Sequence, residues 1–138
     1  MKRVFWICAA IAFAGASPLA AQSLKSIRAQ QSENESLASE MSYTNSVCGG
    51  SIKSEINWAR AADWPDGASL ASACDGALSA LEAICRADGG KKRAASIKKF
   101  VCSGDGAGPS LSGGTLTYGA SPGGNGFAET KAFLDGVL

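Results

Sequence analysis

The chain has 138 residues, with 13 Lys or Arg against 12 Asp or Glu, a net charge of +1, and no histidine. So even a balance does not steer a protein onto nucleic acid. The missing histidine removes the commonest general base and the commonest transition-metal ligand.

The first 21 residues read as a secretory signal peptide. A short basic head (Met1-Lys2-Arg3) precedes an apolar run of eleven, Val4–Ala14, and small residues follow at Ala20 and Ala21. That is the three-part pattern of a leader, and the run falls short of the roughly 20 residues a membrane span requires. Cleavage after Ala21 is the first choice and after Ala16 the second. Cys8 leaves with the leader, and no transmembrane segment is expected after cleavage. The remaining 117 residues carry eleven basic and twelve acidic side chains and make one domain with a modest core. Their four cysteines, Cys48, Cys74, Cys85 and Cys102, read as a disulfide framework in an exported chain, either periplasmic or secreted.

Residues 22–46 are polar. Leu24, Ile27, Gln31, Asn34, Ala38 and Met41 keep a loose helical spacing, which predicts a weakly amphipathic helix or a flexible arm ahead of a single stapled domain over 47–138. Cys48-Gly49-Gly50 breaks the pattern. Ser51 is then a helix cap, with Ile52, Ile56 and Ala59 on one face and an end near Ala62. Trp64-Pro65-Asp66-Gly67 is a turn. Ser69 caps the strongest helix of the chain, in which Leu70, Cys74, Ala77, Leu78, Leu81, Ile84 and Cys85 recur at three- and four-residue steps until Gly89-Gly90.

Residues 91–102 fit a helix through Ala94, Ile97 and Val101, or a strand from about 97 through alternation and β-branching, the strand being slightly favoured. Nine glycines fall in the 23 residues 104–126. Within them Gly113–Gly119 is strand-like and could pair antiparallel with 97–102 as a small hairpin lying on the helices. A short C-terminal helix follows, capped at Asn125 or Gly126, with Phe127, Lys131, Leu134 and Leu138 on one face.

Cys74 and Cys85 lie eleven positions apart on one helix. At about 100° per residue they share a face, and at 1.5 Å per residue they stand about 16 Å apart, too far to bond to each other. Each therefore reaches a different element. Two antiparallel turns, centred near residues 66 and 89, bring Cys48 to Cys85 and Cys74 to Cys102. The expected fold is mainly α, a small α+β protein: an antiparallel helical hairpin stapled by two disulfides, a small β-hairpin and a short C-terminal helix.

Chemistry is sparse. Arg86, Lys91, Lys92, Arg93, Lys98 and Lys99, interrupted only by Asp88, put +5 into residues 86–99 of a chain otherwise at −6 after leader removal. Such a patch can dock an acidic protein or an anionic envelope surface; its ordinary role is a solvated edge. The 104–109 glycine run lacks the Gly-Lys-Ser/Thr of a phosphate loop and the alternating carboxylates of a calcium loop. Trp58 and Trp64 flank the first turn, where a ligand platform competes with simple gap filling. Asp63 with Asp66, Asp75 with Glu82, and Ser96 with Lys99 are the pairs a hydrolase would need. The reading is an exported, non-catalytic binding protein of the bacterial envelope without cofactor or metal, using the basic edge and the 104–126 loops; the alternative is a small envelope hydrolase with carboxylate or serine chemistry.

Overall fold

The computed structural model describes residues 18–61 and 64–138, with side chains from Ser26 onward. The basic head and apolar run of the expected leader lie outside the described residues, as do Ala62 and Asp63. The described elements are α1 (Pro18–Cys48), β1 (Lys53–Asn57), a 3₁₀ turn (Trp58–Arg60), α2 (Leu70–Arg86), α3 (Gly90–Ala94), β2 (Lys99–Ser103), β3 (Gly108–Ser112), β4 (Thr115–Gly119) and α4 (Phe127–Val137).

α2 is the interior of the molecule. Twelve of its residues are buried, among them Leu70, Cys74, Ala77, Leu78, Leu81, Ile84 and Cys85. A helix buried on nearly every side needs neighbours on every side, and α2 has α1, α4, α3 and the sheet. Its start is as the sequence predicts, with the Ser69 hydroxyl accepting the Ser72 N–H at 3.1 Å. The sheet has strand order β1-β2-β4-β3, with β1–β2 and β2–β4 parallel and β3–β4 antiparallel. Ile56, Phe100, Cys102, Leu116 and Tyr118 are buried on one side of it. The alternate positions Lys53, Glu55, Lys99, Val101, Thr115 and Thr117 are half-buried or exposed, so the helices form a second layer over one face only.

Both predicted disulfides are present: Cys48–Cys85 with Cα atoms 5.0 Å apart, and Cys74–Cys102 with Cα atoms 5.9 Å apart. The geometry that brings Cys48 to Cys85 differs from the expected one. Glu33 meets Ser69 and Ala71 at the start of α2, Thr44 meets Glu82 near its middle, and Cys48 meets Cys85 at its end. α1 and α2 therefore run parallel, not as an antiparallel hairpin. The segment after Ser51, expected as the first hairpin helix, is the strand that returns the chain between them. Ile52 and Ile56 lie four apart, a spacing that one helical face and one strand face share, and both are buried, Ile52 just before β1 and Ile56 within it.

Four further differences follow. The helix over 22–46 is continuous to Cys48, and its inner stripe is Leu37, Met41, Thr44 and Cys48, whereas Ile27, Gln31, Asn34 and Ala38 of the expected stripe are exposed. Residues 91–102 divide between the two readings, helical at Gly90–Ala94 and extended at Lys99–Ser103. The expected hairpin of 97–102 with Gly113–Gly119 does not form, because β2 pairs with β4 in parallel within a mixed sheet; the antiparallel hairpin is β3 with β4 across Gly113-Gly114. Of the face expected on α4, Leu134 is buried while Phe127 is exposed.

Two contacts lock α4 and the loop before it. A Cβ on Gly76 of α2 would stand 1.7 Å from the Asn125 carbonyl oxygen, so this crossing admits only glycine. The buried Tyr118 hydroxyl donates to Glu129 Oε1 at 2.5 Å. Burial foremost, and then that carboxylate, push the phenol up to about 12.

Replacing Gly76 by Ala should lower unfolding stability by about 1–3 kcal/mol through overpacking. Gly136→Ala, in the same helix layer with open space around it, should raise it by about 0.5–1 kcal/mol; urea titration of both variants checks the contrast. The raised Tyr118 pKa means that the unfolded chain releases its phenolic proton before the folded one. Stability should therefore be intact below pH 10 and fall as pH rises from 10 toward 12, and Tyr118→Phe should flatten that fall in alkaline unfolding curves.

Candidate functional site

The parallel strands give the molecule two chemically different ends. Their first residues, Lys53 and Lys99, lie opposite each other in register, and Lys99 faces Thr115 on β4. Their last residues, Asn57, Ser103 and Gly119, mark the other end. In open parallel α/β sheets with helices on both faces, ligands collect outside the carboxyl ends of the strands; here the sheet is mixed and covered on one face.

At that carboxyl end lies a groove of about 600 Å³ lined by Trp58, Trp64, Pro65 and Leu70, with Gln30, Glu33 and Asp66 among its polar residues. Trp58 follows directly from β1. It opens the 3₁₀ turn, which Asn57 caps by accepting the Ala59 N–H on its side-chain oxygen. Trp64 is held by its indole N–H, which donates to the Gly104 carbonyl at 2.8 Å just beyond β2. That approach requires glycine at 104, because a Cβ there would stand 2.6 Å from Trp64 Nε1. Both rings are half-buried and pack against the core on one side. They therefore fill a gap and also line the groove.

Glu33 comes from α1, inside the stretch that reads as merely polar. Its Oε2 accepts from Ser69 Oγ at 2.9 Å and from the Ala71 N–H at 2.7 Å. A carboxylate here satisfies an orphan amide of α2 and lies at the positive end of its dipole. Its only sequence signal is an acidic residue on the helix that packs beside a capped N-terminus, which is invisible until the two helices are known to be parallel.

The basic residues gather at the opposite end, with different fates. Arg86 pairs with Glu82 at 3.3 Å and donates to the Tyr43 hydroxyl at 3.2 Å, while Glu82 also accepts from the buried Thr44 hydroxyl at 2.9 Å. Lys99 pairs with Glu55 across the strands. Lys91, Lys92, Arg93 and Lys98 form no ion pair among the described residues. Lys91 and Lys98 flank a cleft of about 120 Å³ whose floor is Cys48–Ile52, beside the Cys48–Cys85 bridge. Of the glycine-rich loops, only the Gly113-Gly114 turn adjoins them, its Gly114 carbonyl accepting the Lys98 N–H at 2.8 Å. The 104–107 loop and the chain after Ala120 pack together at the carboxyl end, where the Gly106 N–H donates to the Ala120 carbonyl at 3.0 Å. The basic edge and most of the glycine loops are thus separate surfaces.

The pairs a hydrolase would use are dispersed. Glu82 is buried and engaged, and Asp75 is exposed on α2. Ser96 is exposed and Lys99 is committed to Glu55. Asp63 lies outside the described residues, which leaves Asp66 at the groove. Comparison with protein-family models, with curated proteins and with solved structures gives no match, so no relative assigns a role to either end.

Proposed function

We propose that the chain is an exported, non-catalytic binding module of the bacterial envelope that contacts an anionic envelope surface through its basic end. Two disulfides suit an oxidising, extracellular-type environment. No helix among the described residues is long and apolar enough to cross a membrane, so the association would be peripheral.

The observation that carries the reading is the set of cations left without carboxylates. Among the described residues Lys91, Lys92, Arg93 and Lys98 form no ion pair, Lys91 and Lys98 flank one small cleft with Lys92 and Arg93 next to Lys91 in α3, and Lys53 sits directly opposite Lys99. Like charges facing each other across strands cost stability, and the Glu55–Lys99 pair offsets only one of the two. An external anion relieves the remainder. Such attraction is worth roughly 1 kcal/mol per basic side chain near an anionic membrane and is screened by salt.

The protein should co-sediment with vesicles containing phosphatidylglycerol, less so as salt rises, and not with pure phosphatidylcholine. The triple variant K91E/K92E/R93E should lose about 100-fold in partitioning, from three such contributions. Equal partitioning of variant and parent, or no binding to the anionic vesicles, would refute the reading.

A further inference from the structure

The tryptophan groove is independent of the basic end and carries its own chemistry. Its volume, about 600 Å³, lies within the range of roughly 300–1,000 Å³ that small-molecule sites occupy. Its walls are set by the fold: the Asn57 cap holds the turn that bears Trp58, the Gly104 carbonyl holds Trp64, and Glu33 is fixed on the first turn of α2. Among the described residues none that lines it is basic, and the two charged ones, Glu33 and Asp66, are carboxylates. Arg28 and Arg60, each next in sequence to a lining alanine, are exposed and do not line it. Glu33 has one oxygen, Oε1, outside its two capping bonds, and the Asp66 side chain accepts no hydrogen bond among the described residues.

We propose that this groove binds a small organic cation, an amine or quaternary ammonium whose charged head lies against the faces of Trp58 and Trp64 and is balanced by Glu33 and Asp66. Indole is the strongest of the aromatic partners for such a head, and the attraction grows as water is excluded. An anionic ligand would meet two carboxylates with no cation among the described lining residues to offset them. A neutral sugar could stack on the rings but would leave the two charges without a counterion. The arrangement also sets the basic edge at the start of the parallel strands against a carboxylate-bearing groove at their finish, so one chain can hold an anionic surface and present a site for a cation away from it.

The sequence supplies a reporter. Its three tryptophans are Trp6, Trp58 and Trp64, so in a Trp6→Phe background of the full chain all indole fluorescence arises from the groove. Choline should change that fluorescence saturably, and dimethylbutanol, its uncharged isostere, should not. Asp66→Asn, which breaks no internal hydrogen bond, should weaken choline about fivefold, the scale of one exposed charge contact. Glu33→Gln should weaken it at least as much, with circular dichroism monitoring its capping role. Equal responses to choline and dimethylbutanol, a response to maltose without one to choline, unchanged affinity in Asp66→Asn, or no response to choline would each overturn the proposal. None of these outcomes bears on vesicle binding by the opposite end.

Discussion

The structure depends on the burial of α2. A helix enclosed on nearly all sides cannot be completed by any one neighbour, so α1, α4 and the sheet must all be present before its apolar surface leaves water. In a chain this small the core alone supplies little margin. The two disulfides tie that helix to its neighbours, Cys85 to the end of α1 and Cys74 to β2. Crosslinks of this kind contribute about 2–4 kcal/mol each, chiefly by restricting the unfolded chain. The Glu33 cap and the Thr44–Glu82 bond repeat the α1–α2 attachment without covalency at the other heights.

The same topology separates the two surfaces. Because β1 and β2 are parallel and α2 makes the crossover, everything that enters these two strands lies at one end and everything that leaves them lies at the other. Lys53, Lys98 and Lys99 enter; Trp58 and Gly104 leave. The separation of the basic edge from the groove therefore follows from strand direction, and a rearrangement of the sheet would merge what the fold keeps apart.

Much of the scaffold is legible in the residues themselves. The period of Leu70–Cys85 is unambiguous, Ser69 is a capping residue in a capping position, and an eleven-residue cysteine spacing forces two outside partners. The direction of the connections is less accessible. Ile52 and Ile56 satisfy a helix and a strand alike, and β3, Gly-Pro-Ser-Leu-Ser, has no propensity signal to lift it out of the glycine-rich stretch. The disulfide pairing emerges from an antiparallel arrangement and also from the parallel one, because a returning strand and a loop bring the chain from Cys48 back to the start of α2. At the candidate sites, the basic residues are visible as a run and Arg86–Glu82 is an i,i+4 pair within α2, but the pairing of Lys99 depends on Glu55 in another strand. The groove is hidden for the same reason: Glu33, Trp58 and Trp64 belong to three segments that only the parallel crossover assembles.

Peptide mapping of the unreduced native protein tests the enclosed, doubly tethered helix most directly. Cys48 should be recovered joined to Cys85, and Cys74 joined to Cys102, with no free thiol among the four. Recovery of Cys85 joined to Cys102, or of four free thiols, would contradict the arrangement on which both surfaces rest.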